Sequence, residues 1–254
     1  MDGRFIAPEV TNYANYFDLD ATEARGASAA ALGMINRVHQ SETDMAIPIT
    51  ERLREATRTL HSEVERAGVM RLLLLGQLEC AGYCRLLRNL HAVYVALEAG
   101  LMQNASNPAL AALRCEPLFR GDALSADLNF LDGPNWPDAI RLTEAATQYS
   151  NHLTALAGSA PLLLGAHAYV RYLGDLSGGQ VLKRVVAKRL RLQSDHGVQF
   201  YDFGSAADVA NLAQTFRAAL NLMADDEASA QALADEACAA FARHRTLFEA
   251  LAET

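Results

Sequence analysis

Proline and helical periodicity never share a stretch of this chain. Apolar residues at Leu53, Ala56, Leu60, Val64 and Ala67 recur at spacings of three and four, which places them on one face of a helix. The opposite face carries Glu51, Arg52, Glu55, Arg58 and Glu63, with Thr50 as the expected N-cap and Gly68 as the expected stop. Similar periods run through 77–103, 138–157, 162–192, 206–223 and 226–251. The seven prolines lie at 8, 48, 108, 117, 134, 137 and 161, outside every one of these stretches. A proline ring inside a helix costs about 3 kcal/mol, so this partition predicts an all-α fold. Pro108 and Pro117 bracket a connection, "LDGPNWPD" at 131–138 reads as a turn, and no strand pattern exceeds "GVQFYDF". A single-domain helical bundle over 49–254 follows. Residues 1–48 are expected to form a loosely structured N-terminal extension, with a short helix around Ala27–Val38.

Charge and cysteine usage narrow the functional classes. With 22 Lys and Arg against 30 Asp and Glu, the net charge is -8, which repels nucleic acid and anionic lipid. Cys80, Cys84, Cys115 and Cys238 form no C-x-x-C pair, and a 254-residue chain buries enough surface to need no disulfide framework. Reduced thiols and a cytoplasmic setting are expected. Asp2 and Glu9 interrupt any secretory signal, and the longest large-aliphatic run, Leu72–Leu75, is too short to span a bilayer. No membrane association is expected.

One segment breaks the helical rules. In "AHAYVRYLGDLSGGQVLKRVVAKRL" at 166–190, Gly174, Gly178 and Gly179 interrupt an otherwise helical apolar spacing. Each mid-helix glycine costs about 1 kcal/mol relative to alanine. Close helix packing through the G-x-x-x-G step at Gly174 and Gly178 is one explanation. A flat ligand lying on a kinked, bare backbone is the other. Asp175 favours the second, because a carboxylate among apolar neighbours needs partners or a task. The segment is neither a dinucleotide fingerprint nor a P-loop.

His61 is the second signal. Glu65 lies one turn later, where a carboxylate can orient the imidazole and leave its other nitrogen for a metal; a surface His/Glu pair is the alternative. Glu-x-x-His and H-E-x-x-H motifs are absent. A single histidine holds no bare ion tightly, yet it can ligate an iron whose equatorial ligands come from a porphyrin.

These residues carry a resemblance. "YVRYLGDLSGGQ" at 169–180 and "LREATRTLHSEVE" at 53–65 are similar to the distal-helix signature and the proximal helix of the heme oxygenase family, over roughly 49–250. The resemblance implies an all-α fold that holds heme, both cofactor and substrate, between two helices. His61 would be the axial iron ligand and Glu65 its partner. Gly174, Ser177, Gly178 and Gly179 would line the other heme face. Asp175, Tyr94 and Arg171 would form the catalytic hydrogen-bond network, and Arg54, Tyr169 and Arg217 would meet the heme propionates. The implied reaction opens heme to biliverdin, carbon monoxide and ferrous iron, using dioxygen and electrons from a separate ferredoxin or flavin reductase.

Two positions depart from the family pattern. Ala213 stands where a lysine is usual, and His244 where the distal network often has asparagine. They bear on heme seating, and they keep open a non-catalytic heme carrier or sensor on the same fold. A more distant reading makes Cys80 or Cys84 a nucleophile, although neither has an evident base in the sequence. Lys183, Arg184, Lys188, Arg189 and Arg191 form the one basic concentration, read either as a solvated helix face or as a docking surface for an acidic electron donor.

Overall fold

The central element is the 24-residue helix α3, Cys80–Gln103, whose buried Leu86, Leu87, Leu90, Val93, Tyr94, Leu97 and Leu101 repeat every three or four residues. A computed structural model describes residues 47–253, and the unit that begins at Pro48 is compact. The helix expected near Ala27–Val38 lies outside the described residues. All regular elements among the described residues are helical. Helices α1 (Ile49–Glu65) and α2 (Gly68–Leu74) precede α3. After it come α4 (Pro108–Leu113), α5 (Gly121–Asp132), α6 (Trp136–Ala139) and α7 (Glu144–Ser159). Helices α8 (Leu164–Ala168), α9 (Gly174–Leu190), α10 (Ala206–Leu220) and α11 (Glu227–Ala252) complete the set. Two packing relations position the site: α3 lies against α7 and α5, and α1 lies along α11.

Local chemistry fixes the helix starts. Thr143 caps α7 by accepting the Ala146 N–H at 3.1 Å, and Asp226 caps α11 through Ser229 at 2.7 Å. Ser205 and Asp208 form a reciprocal capping box on α10. At α5 the cap comes from another helix: the Glu98 carboxylate of α3 accepts the N–H groups of Arg120 and Gly121.

Several local expectations change. Thr50 does not cap α1, which begins at Ile49; its N–H and hydroxyl instead both donate to Asn221 Oδ1 at 2.9 Å. Gly68 opens α2 rather than closing α1, and its φ of +42° favours glycine. A Cβ there would stand 1.9 Å from the Phe248 carbonyl oxygen, so the approach of α11 also dictates the residue. The stretch between Pro108 and Pro137 contains α4 and α5, whose short segments carry too few apolar turns to announce themselves. "GVQFYDF" forms a 3₁₀ turn at Gln199–Tyr201, held by the buried Asp127, which accepts the N–H groups of Gln199 and Phe200 at 2.9 and 2.8 Å. The period over 162–192 divides into α8, a π-helical segment at Tyr169–Leu173 and α9.

Candidate active site

The departure from α-helical hydrogen bonding comes one turn before the glycines. Tyr169–Leu173 adopt π-helical hydrogen bonding, and α9 resumes at Gly174. Such insertions recur at functional sites because they reset the helix phase and loosen its backbone ladder. Ser177 donates its hydroxyl to the Gly174 carbonyl at 3.1 Å, which satisfies an acceptor close to the transition.

The three glycines divide into two roles. A Cβ built on Gly174 or Gly178 meets nothing within 4 Å, so bare backbone faces open space along one side of α9. A Cβ on Gly179 would meet the Tyr201 ring at 3.6 Å and its carbonyl at 3.7 Å. Gly179 therefore packs against the 199–201 turn, away from the face the other two present. The G-x-x-x-G packing explanation fails at Gly174 and Gly178, whose backbone faces open space, and Gly179 touches Tyr201 only at ordinary van der Waals distance.

Asp175 is buried within the same turn and its oxygens are engaged. Arg171 Nη2 donates to Oδ1 at 2.8 Å, the Tyr94 hydroxyl donates to Oδ2, and Arg171 Nε donates to the Tyr94 hydroxyl at 2.8 Å. Burial raises the Asp175 pKa, while the Arg171 charge and the Tyr94 hydroxyl act against that rise. Burial opposes the Arg171 charge, but Asp175 holds the guanidinium above its usual range. The phenol of Tyr94 is raised, chiefly by burial. Arg120, unremarked in the sequence, adds positive charge near Asp175 while donating to the carbonyls of Pro117, Phe119 and Asp202.

His244 borders this group. It is 1% exposed, Ala240's carbonyl lies 2.9 Å from Nδ1, and Nε2 has no hydrogen-bond partner among the described residues. Burial, aided by the Arg171 charge, pushes its pKa well below the ordinary value. A neutral ring with Nδ1–H given to Ala240 presents Nε2 as a buried acceptor.

On α1, the His61 ring stands edge-on to Phe241, and Nδ1 lies 3.8 Å from Glu65 Oε1. Burial lowers the His61 pKa and raises that of Glu65, so both shifts disfavour a charged pair. The predicted apolar stripe of α1 is only partly covered. Leu53 and Ala67 are buried, Leu60 and Val64 are half-buried, and Ala56 is exposed. Thr57, which the stripe omitted, is buried in its place and donates to the Leu53 carbonyl at 2.7 Å.

The residues expected at the propionates gather around Tyr169. Burial raises its pKa, and Thr57, Arg54 and Arg217 counteract the rise through a hydrogen bond and two positive charges. Ala213 is half-buried one turn before Arg217 on α10.

The basic segment is partly spent on internal pairs. Lys183 binds Asp195 and Asp202 at 3.1 and 3.0 Å, and Arg189 pairs with Glu79. Arg184, Lys188 and Arg191 remain exposed, with no ion pair among the described residues. For Cys84 the nucleophile reading fails on the thiol itself: burial, with Cys80 as a further cause, pushes it up to about 12.

Comparison with known proteins resolves the family. The model of the heme oxygenase family matches residues 47–250. The chain belongs to the heme oxygenase family. Heme oxygenase 1 of Synechocystis sp. is 36% identical over 207 residues, covering 82% of this chain and 86% of that protein. Human heme oxygenase 1 is 39% identical over 207 residues, covering 81% and 72%. The crystal structure of Synechocystis heme oxygenase-2 in complex with heme and NO superimposes with a TM-score of 0.78 at 36% identity, over 81% of this chain and 85% of that one. These heme oxygenases confirm the all-α fold expected from the proline and apolar spacing.

Proposed function

We propose that this chain binds heme between α1 and α9 and opens it to biliverdin, carbon monoxide and ferrous iron, using dioxygen and electrons from a separate ferredoxin or flavin reductase. The single observation that carries this reading is the bare Gly174/Gly178 face of α9 beside the Asp175–Arg171–Tyr94 hydrogen-bond group, to which α9 contributes Asp175, the π-helical segment just before it Arg171, and α3 Tyr94. A structural ion pair explains the second alone. A flat ligand whose chemistry consumes protons explains both.

The residues present fit a heme. The incompletely covered stripe of α1 offers apolar surface beside His61, and the glycines of α9 offer backbone without side chains. Arg54, Tyr169 and Arg217 supply two cations and a hydroxyl for the propionates. The orphaned Nε2 of His244 is a buried acceptor that an ordered water would satisfy. When bound, heme supplies an iron that activates dioxygen and the macrocycle that is oxidised.

Each side chain then has a task of its own. His61 would hold the heme iron, and burial, by lowering its pKa, favours the neutral imidazole that can ligate. Glu65 orients that ring through its Nδ1 side. Gly174 and Gly178 let the backbone approach the ring face, and Ser177 holds the Gly174 carbonyl in place. Arg171 and Tyr94 fix the Asp175 carboxylate, whose raised pKa suits it to hand a proton through water toward the oxygen site. Gly179 acts by seating α9 on Tyr201.

Exposed Arg184, Lys188 and Arg191 are the surface on which an acidic electron donor docks. No helix among the described residues is long and apolar enough to cross a membrane. The four free thiols support a reducing, cytoplasmic setting. The reading is tested by adding hemin and a reductant in air: loss of the Soret band with growth of bilin absorption is expected, whereas a persistent ferrous or oxygenated spectrum would mark a carrier.

A further inference from the structure

A cluster of ligand-type side chains lies on the far side of α11 from α1. His152 of α7, His167 of α8 and Glu236 of α11 bring Nε2, Nε2 and Oε1 together, all within 4.8 Å of one another. His152 Nε2 lies 2.7 Å from Glu236 Oε1 and His167 Nε2 lies 2.9 Å from the same oxygen. We propose that this cluster is a binding site for a divalent first-row transition-metal ion, separate from the heme site.

The donor set is the first argument. Two imidazoles and one carboxylate suit zinc, iron, cobalt or nickel, and not the hard ions calcium and magnesium, which require oxygen ligands. Zinc takes about 2.0–2.2 Å from such donors, so an ion would require the two outer side chains to rotate about it. His152 is 24% exposed and Glu236 15%, so both can adjust and an ion can enter from solvent, while His167 is fully enclosed.

The surroundings supply what a metal-binding histidine needs on its other nitrogen. His167 Nδ1 lies 2.9 Å from the Tyr149 hydroxyl, which fixes the ring and directs Nε2 toward the cluster. In the metal-free cluster both Nε2 atoms face the Glu236 carboxylate, and an ion would take the place of the protons they share with it, with the His167 Nδ1–H then given to the Tyr149 oxygen. Three helices distant in sequence supply one donor each, and a bound ion would tie α7, α8 and α11 together. The competing description is a carboxylate that merely accepts two imidazole hydrogen bonds.

The test uses untagged, heme-free, chelator-stripped full-length protein, titrated calorimetrically with Zn²⁺ and optically with Co²⁺. One equivalent is expected to bind, with the d–d bands of low-coordinate Co²⁺ and a raised thermal midpoint. Tyr149→Phe should weaken binding about 10- to 100-fold, and His152→Ala or Glu236→Gln by more. His61→Ala should bind Zn²⁺ as the wild type does, which separates this site from the heme pocket. His152→Asn, at the solvent edge, replaces either ligand variant whose circular dichroism shows a damaged fold. Absence of saturable uptake, or uptake unchanged in both ligand variants, would reduce the cluster to a hydrogen-bonded His–Glu–His relay and overturn the proposal.

Discussion

Replacing Gly174 and Gly178 with alanine should move apo stability and heme affinity in opposite directions. Gly174 has φ -61° and ψ -46°, an ordinary helical conformation, and Gly178 lies within α9. A Cβ at either meets nothing within 4 Å, so neither substitution creates strain. Glycine to alanine inside a helix gains about 0.8–1 kcal/mol, hence about 2 kcal/mol for the pair. For a domain of this size each kcal/mol shifts the midpoint by about 2–4 °C, so the heme-free double variant should melt about 4–8 °C higher. The same methyl groups would intrude where a ring presses on backbone. Overpacking of that kind costs about 1–3 kcal/mol, a roughly 5- to 140-fold loss of hemin affinity. Calorimetry without heme and hemin titration followed at the Soret band give the two numbers. A double variant that melts lower, or that binds hemin as tightly as the wild type, would refute the open-face reasoning.

Further outcomes follow from the same geometry. Asp175→Ala strands the buried Arg171 guanidinium, which should cost about 3–5 kcal/mol and lower the midpoint by about 6–20 °C; at low temperature it should still bind hemin yet form little bilin, and full bilin yield would defeat the proton-delivery role. Although burial works to raise the Glu236 pKa, the two histidine hydrogen bonds hold it down at about 2 against an ordinary 4.5. A depressed carboxylate stabilises the fold above its unfolded value and loses that contribution as pH falls, here between 4.5 and about 2. Glu236→Gln should therefore flatten that limb of the acid stability curve, worth about 3 kcal/mol in the wild type; an unchanged curve would contradict the assignment. Charge reversal at Arg184 and Lys188 should slow donor-driven turnover at low salt and leave hemin affinity alone, as stopped-flow reduction would reveal.

The legible parts were those governed by local rules. Proline placement and apolar spacing delimited α3, α10 and α11 and revealed α7, whose start at Glu144 lies six residues beyond the expected one, because each is long enough to show several turns of one face. Asp175 stood out because a carboxylate in an apolar turn demands partners, and Arg171 and Tyr94 proved to be those partners. What escaped depends on contacts distant in sequence. Gly68 answers to the Phe248 carbonyl, and the division between Gly178 and Gly179 depends on where Tyr201 lies. The start of α5 is held by Glu98, more than twenty residues upstream. Thr57 signalled nothing in the sequence because its significance comes from Tyr169, which the fold alone brings beside it. His152, His167 and Glu236 carry no recognisable spacing, since three separate helices contribute one residue each.

His61 as the iron ligand is tested most directly by resonance Raman of the complex with ferrous heme. An iron–imidazole stretch should be present in the wild type, absent in His61→Ala and restored there by added imidazole. The same stretch persisting in His61→Ala without imidazole, or missing from the wild type, would contradict it.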